Sequence, residues 1–315
     1  MTPHLSWIGR RLLLGLGQTA AVVLFIFALT EALPGDAAVT LAGDQPDPDR
    51  IARIRKTMGL DLPAAERLAD WAVGLLHGDL GTSLVSGRPV SGYLTAGLGP
   101  TLLLAGATLA LLLPLSVGLG VLAARREGGP LDRTVSALTL AVHAVPEFAV
   151  GVLLATLFGL WLGWLPPTAV GADVFTEPAV LILPVVVLLS RPVCTISRLV
   201  RAGMIDAMAS PYVAQARRYG VCGTRITWTH ALPNALAPAT QQLARTCDWL
   251  LSGVIVVEAL FVIPGLGTVL IEAVAARDIP VVQGMAVVFG IVTVAVNLAA
   301  DLAARRFAPR SEVAA

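Results

Sequence analysis

Glu147, Arg191, Asp248 and Glu258 stand well inside the long apolar stretches of this chain. A charge facing lipid at mid-membrane costs roughly 2.5–3.5 kcal/mol on insertion scales, so each needs a partner, a wet passage or a passing solute. Two chemistries fit. The charges line a passage and contact a charged cargo, or they form a buried ion pair that fixes helix packing. On straight helices rising 1.5 Å per residue, Glu147 and Arg191 lie about 20 Å from the start of their apolar runs and Asp248 about 18 Å. That is near mid-depth for all three, where they can meet. Glu258 lies further out, and gating and packing both suit it. His143 reads as a satisfied packing residue.

A second group is polar. Tyr212–Pro233 reads YVAQARRYGVCGTRITWTHALP and separates two long apolar runs. Ser210-Pro211 predicts a helix start, with Ser accepting from free N–H groups and Pro at the first helical position. Val213, Ala216 and Tyr219 are predicted to share a face, while Gln215, Arg217 and Arg218 point elsewhere. Ala214 and Ala216 are small enough for another surface to come close. Gly220 can take φ > 0 and end the helix. A second helix is predicted from Thr224 through His230 to Leu232, broken by Pro233. A short helix with small residues and a forced turn is a lever suited to another protein's groove. A basic loop resting on lipid headgroups is the plainer alternative.

Enzyme chemistry finds no support. No HExxH, GxSxG or Walker A motif occurs, and His4, His77, His143 and His230 are scattered. Cys194, Cys222 and Cys247 are odd in number and have neither disulfide nor metal spacing. They read as structural thiols. No catalytic residue and no metal ligand is assigned.

The elements that must position these residues are membrane helices. The 315 residues are 56% hydrophobic and 14% charged, with mean hydropathy +0.79, against about 25% charged in soluble domains. Residues 89–124 and 279–300 carry no charge, and about 20 apolar residues suffice to span a bilayer. The apolar run Leu12–Leu33 is longer than a signal-peptide core, which predicts an uncleaved first span. Six spans follow, near 11–33, 98–123, 134–162, 178–200, 236–263 and 281–303, giving an all-α polytopic protein. Proline at 114, 146, 184, 192 and 264 is expected to kink them. Residues 34–97 form a polar segment with amphipathic helices over Asp49–Met58 and Pro63–Leu76. Arginine in the short loops falls almost wholly on one side, from Arg10 and Arg11 through Arg217 and Arg218 to Arg305 and Arg306; the other side's short loops hold Arg277 alone. That asymmetry puts both termini and residues 201–235 in the cytoplasm and 34–97 outside. The divisions are 1–97, 98–304 and the tail 305–315.

Ala214-Gln215-Ala216, Gly220 and His230-Ala231-Leu232-Pro233 have the spacing of the EAA loop of ABC-type importers. The chain resembles the dipeptide, oligopeptide and nickel importer permeases over nearly its whole length. LPGD at Leu33–Asp36, MGLDLP at Met58–Pro63, GDLGTSLVSGRPV at Gly78–Val90, VVEALFVIPGLG at Val256–Gly267 and ARDIPVVQG at Ala276–Gly284 carry the resemblance. It implies a type I importer permease in the bacterial inner membrane, forming half of a channel. The partners it implies are a second permease subunit, two ABC ATPase subunits that bind ATP and Mg, an external binding protein and the bilayer. Nucleic acid is not among them. The cargo it implies is a peptide, or nickel, a metallophore or a glutathione-like solute. The chain departs from the family at Pro211 and Ala214, where an acidic residue is common, and at Arg191, Arg245 and Asp248, where small or apolar residues are. An ion-gradient-driven secondary transporter is the alternative, but the paired broken helices of such proteins are not evident.

Overall fold

The structure is a computed structural model that describes residues 3–32, 39, 47–57, 59 and 61–307. The LPGD motif and Met58 lie outside the described residues. The described residues are helical and irregular, with one isolated bridge between Thr82 and Pro89. The helices are α1 (Pro3–Ala32), α2 (Pro48–Thr57), α3 (Ala64–Leu76), α4 (Val90–Ala124), α5 (Pro130–Ala144), α6 (Glu147–Leu154), α7 (Ile182–Ala209), α8 (Pro211–Arg218), α9 (Gly223–Arg225), α10 (Leu232–Ala235), α11 (Ala237–Phe261), α12 (Leu266–Ala275) and α13 (Ile279–Phe307). A π-helical stretch, Ala155–Trp161, extends α6, and another, Ile226–Ala231, joins α9 to α10.

Among the described residues three elements are long and apolar enough to cross a membrane: α4, Pro178–Ala209 and Ile279–Ala299. Two further spans arise if each bent helix pair is counted as one, and α1 contributes the apolar stretch Leu13–Leu29. The apolar segments thus follow the order read from the sequence, but the third is not one helix. Its halves, α5 and α6, meet at 103°. Pro146 is the cause. A proline excludes the α region for the residue before it, and Val145 is extended at φ −83°, ψ 132°. The depth of Glu147 worked from a straight helix therefore does not hold. Pro114 and Pro192, by contrast, sit inside the continuous helices α4 and α7, and Pro184 falls in the first turn of α7.

The chain divides into two compact units. One comprises residues 1–99 and 264–295; the other comprises 100–263 and 296–315. In the first, Val90, Leu266, Ala273, Val281 and Met285 form a core. Asp278, 4% exposed, clasps the 83–89 turn there: Ser83 Oγ donates to Oδ2 at 2.5 Å and the Leu84 N–H to Oδ1 at 3.0 Å. Two motifs far apart in sequence, Gly78–Val90 and Ala276–Gly284, are thereby one structural feature. Gly284 lies so close to Val90 that an added Cβ would stand 2.7 Å from its Cγ1.

In the second unit α7 is the central helix, burying Leu183, Val187, Leu188, Ile196, Val200 and Met204. Small residues let its neighbours approach, as expected where packing rather than the hydrophobic effect holds membrane helices together. A Cβ on Gly120 of α4 would lie 2.7 Å from the Ser197 carbonyl oxygen. Hydroxyls along α7 donate to its own carbonyls, Ser190 to Val187 and Thr195 to Arg191.

Candidate functional site

The polar loop is built as a helix, a turn and a second helix. Pro211 opens α8, but Ser210 does not cap it; its hydroxyl donates back to the Ala207 carbonyl at 2.5 Å, closing α7 instead. Val213 is fully buried, Ala216 is half-buried, and Ala214, Gln215, Arg217 and Arg218 are exposed. Tyr219 is 78% exposed and does not share the buried face. It occupies the position where α8 ends, so the helical periodicity no longer governs it. Gly220 turns the chain at φ +76°, where a side chain is disfavoured. Val221 N–H then returns to the Ala216 carbonyl at 3.1 Å.

The second helix does not stop at Pro233. Proline lacks the N–H that would bond the Thr229 carbonyl, and its ring crowds that carbonyl. The wider π turn over Ile226–Ala231 fits around it, and α10 continues to Ala235. Leu232 is buried, His230 is half-buried and Pro233 is exposed. The two halves of the loop are tied, since Asn234 Nδ2 donates to Tyr212 Oη at 3.0 Å. The loop is also seated on α7. At Gly203 an added Cβ would meet the Ala235 carbonyl oxygen at 2.6 Å and its Cα at 3.0 Å.

One pair beside this loop was not foreseen. Asp132 on α5, 4% exposed at its side chain, receives Arg201 of α7 through Nε at 2.5 Å and a second nitrogen at 2.7 Å. Its Oδ2 also accepts the Gly128 N–H at 2.9 Å. The fork geometry fixes the 125–129 turn against α7. The sequence showed only an acid in the first turn of a helix, with no sign of which arginine it meets. Between that turn, the end of α7 and the loop lies a cavity of about 620 Å³. Arg125, Arg126 and Arg217 line it with Glu127 over Met204, Ile205 and Met208.

Of the charges within apolar runs, Glu147 and Arg191 are within electrostatic range of one another but not in contact. Arg191 acts electrostatically on the Glu147 carboxylate, without a hydrogen bond or an ion pair within 4.0 Å. Glu147 opens α6 just beyond the Pro146 break, and its Oε1 is buried with no hydrogen-bond partner among the described residues. A Cβ on Gly253 of α11 would stand 3.3 Å from that oxygen, so three elements converge here. Asp248 belongs to α11, but its side chain lies outside the described residues. Glu258 is fully buried and accepts from Thr101 Oγ1 at 2.6 Å. His143 is not satisfied as expected: its Nδ1 is buried without a partner among the described residues. It sits in the last turn of α5, where the 103° break removes the next helical turn. No cluster of three or more His, Cys, Asp or Glu suited to a metal occurs among the described residues.

An all-helical chain with several apolar membrane-length segments is the architecture of ABC importer permeases, and the comparisons agree. The family described as "Binding-protein-dependent transport system inner membrane component" matches residues 116–313, and the corresponding N-terminal family matches residues 5–94. A protein of Brucella abortus named as a peptide transport system permease is 35% identical over 286 residues, covering 89% of this chain and 90% of that one. The glutathione transport system permease of Pectobacterium atrosepticum is 35% identical over 291 residues, covering 92% and 94%. The inward-facing MetNI methionine ABC transporter shares the fold, with TM-score 0.54 and 19% identity over 70% of this chain and 98% of that one.

The chain belongs to the binding-protein-dependent transport inner-membrane component family. It is a permease subunit of an ABC importer, a multi-pass inner-membrane protein and a transport subunit rather than an enzyme. The secondary transporter alternative is set aside. ATPase subunits and a substrate-binding protein are its partners by class.

Proposed function

We propose that this chain forms half of a translocation channel with a second homologous permease subunit, driven by two ATPase subunits that carry the ATP and Mg. In this reading residues 201–235 and both termini are cytoplasmic, 34–97 is external, and α8 seats in a groove of the ATPase. The observation that carries it is the attachment of the loop to α7. Gly203 against Ala235 leaves no slack, so force on α8 reaches the helix that bears Arg191. Cysteine labelling in intact cells, on a background without native Cys, tests the orientation. An impermeant reagent that labels a cysteine at Arg217 and misses one at Asp47 would overturn it.

The cargo is a peptide or a glutathione-like solute, which is what the relatives' names support. Glu147 and Arg191 line its path, with Asp248 and Glu258 on the helix that packs beside them. Mass spectrometry of the ligand that co-purifies with the cognate binding protein tests the cargo. Recovery of a metal chelate with no peptide bond would refute the peptide reading.

A further inference from the structure

The cavity of about 620 Å³ at the loop end of α7 is walled by Arg125, Arg126 and Arg217, with Glu127 the single acid on its lining. The three arginines are exposed, and α8 has no acid in its first turn and Arg217 and Arg218 in its last. The nearest buried carboxylate, Asp132, is already occupied by Arg201. The lining thus carries three arginines against one glutamate, with the exposed Asp206 next to it in sequence on α7, a net positive wall. The floor is apolar: Met204 is 1% exposed, and Ile205 and Met208 are partly buried. An acidic side chain on a protein segment matches both parts. Its carboxylate meets a guanidinium fork, and its stem and neighbours rest on adaptable methionine. A small inorganic anion would use the arginines but leave most of that volume to water.

We propose that this cavity receives acidic side chains of the partner ATPase, so that at this contact the permease supplies the positive charge. The inference rests on the reading that α8 couples to the ATPase, because Arg217 belongs to both features.

The test uses the assembled permease–ATPase complex in nanodiscs of phosphatidylcholine alone, with ATPase retention followed as sodium chloride is raised. Arg125→Gln, Arg126→Gln and Arg217→Gln should each weaken retention about tenfold, the effect of losing a charge-assisted bond, and should flatten the salt dependence. The three Arg→Lys variants should restore much of it, and Arg133→Gln, exposed but off the lining, should change nothing. Wild-type retention and salt slope in the triple Gln variant would overturn the proposal while leaving the coupling reading intact. A loss seen only when anionic lipid is present would also overturn it and assign the cavity to headgroups. If a cysteine at Gln215 never cross-links to the ATPase in the wild-type complex, the coupling reading itself falls.

Discussion

Gly203→Ala should loosen the polar loop from α7. The added methyl would sit 2.6 Å from the Ala235 carbonyl oxygen, where ordinary contact begins at 3.4 Å. The two segments must therefore part by about 0.8 Å, and backbone atoms on both sides cannot rotate away as a flexible side chain would. Overpacking of this kind costs about 1–3 kcal/mol. Alanine also gains roughly 1 kcal/mol of helix propensity over glycine, which masks part of the loss. Gly118→Ala in α4 supplies the reference, since nothing lies within 4 Å of its added Cβ. The difference between the variants isolates the packing cost. Thermal unfolding of the purified complex in detergent measures it, with about 2–4 °C expected per kcal/mol for a unit of 150–250 residues. The Gly203 variant should also lose binding-protein-stimulated ATP hydrolysis while remaining in the membrane. Equal stability and equal stimulation in the two variants would show that the loop is not held rigidly, and the lever argument would go with it.

Three further outcomes are expected. Gly220→Val places a β-branched residue at φ +76°, a genuine outlier; the subunit should assemble but fail to stimulate ATP hydrolysis, and normal stimulation would refute the turn's role. Asp278→Ala leaves the buried Ser83 hydroxyl and Leu84 N–H without their acceptor, at about 1–3 kcal/mol each, so limited proteolysis should cut the 77–89 segment faster than in the wild type. Arg191→Met should cost less than the roughly 3–5 kcal/mol of breaking a contact ion pair, because no such contact joins it to Glu147; the complex should assemble, and uptake of anionic peptides should fall more than that of neutral ones. Failure to assemble, rescued by adding Glu147→Gln, would instead make the pair structural.

The order of apolar segments, the helices over 48–57 and 64–76 and the turn at Gly220 were legible because each rests on local chemistry: run length, amphipathic spacing, or one residue's φ. Five prolines looked alike in the sequence, yet Pro146 breaks a span whereas Pro114 and Pro192 do not. At Pro192 the helix runs on through the preceding residue, so α7 stays continuous, whereas Val145 before Pro146 is extended. Beside Pro146 the chain instead starts afresh with Glu147 in the first turn of α6. The difference lies in the backbone of the residue before each proline, which neither the pattern of apolar residues nor the proline itself encodes. Asp132 was missed because its partner Arg201 is 69 residues away, and many arginines were available.

The two groups of residues singled out by their chemistry turn out to share one element. Arg191 and Gly203 are both on α7, twelve residues or about 18 Å apart along a helix rising 1.5 Å per residue. α7 is one continuous helix between Arg191 and Gly203, although Pro192 leaves the Leu188 carbonyl without its helical N–H, and it is tied to α5 by Asp132 through Arg201. In the proposed coupling, a displacement at the loop would travel along α7 toward Arg191. At the far side it meets the Pro146 break, where α5 and α6 are joined only by an extended residue and a proline. A continuous helix passing beside a break is a suitable arrangement for turning a push at the loop into a change around Glu147.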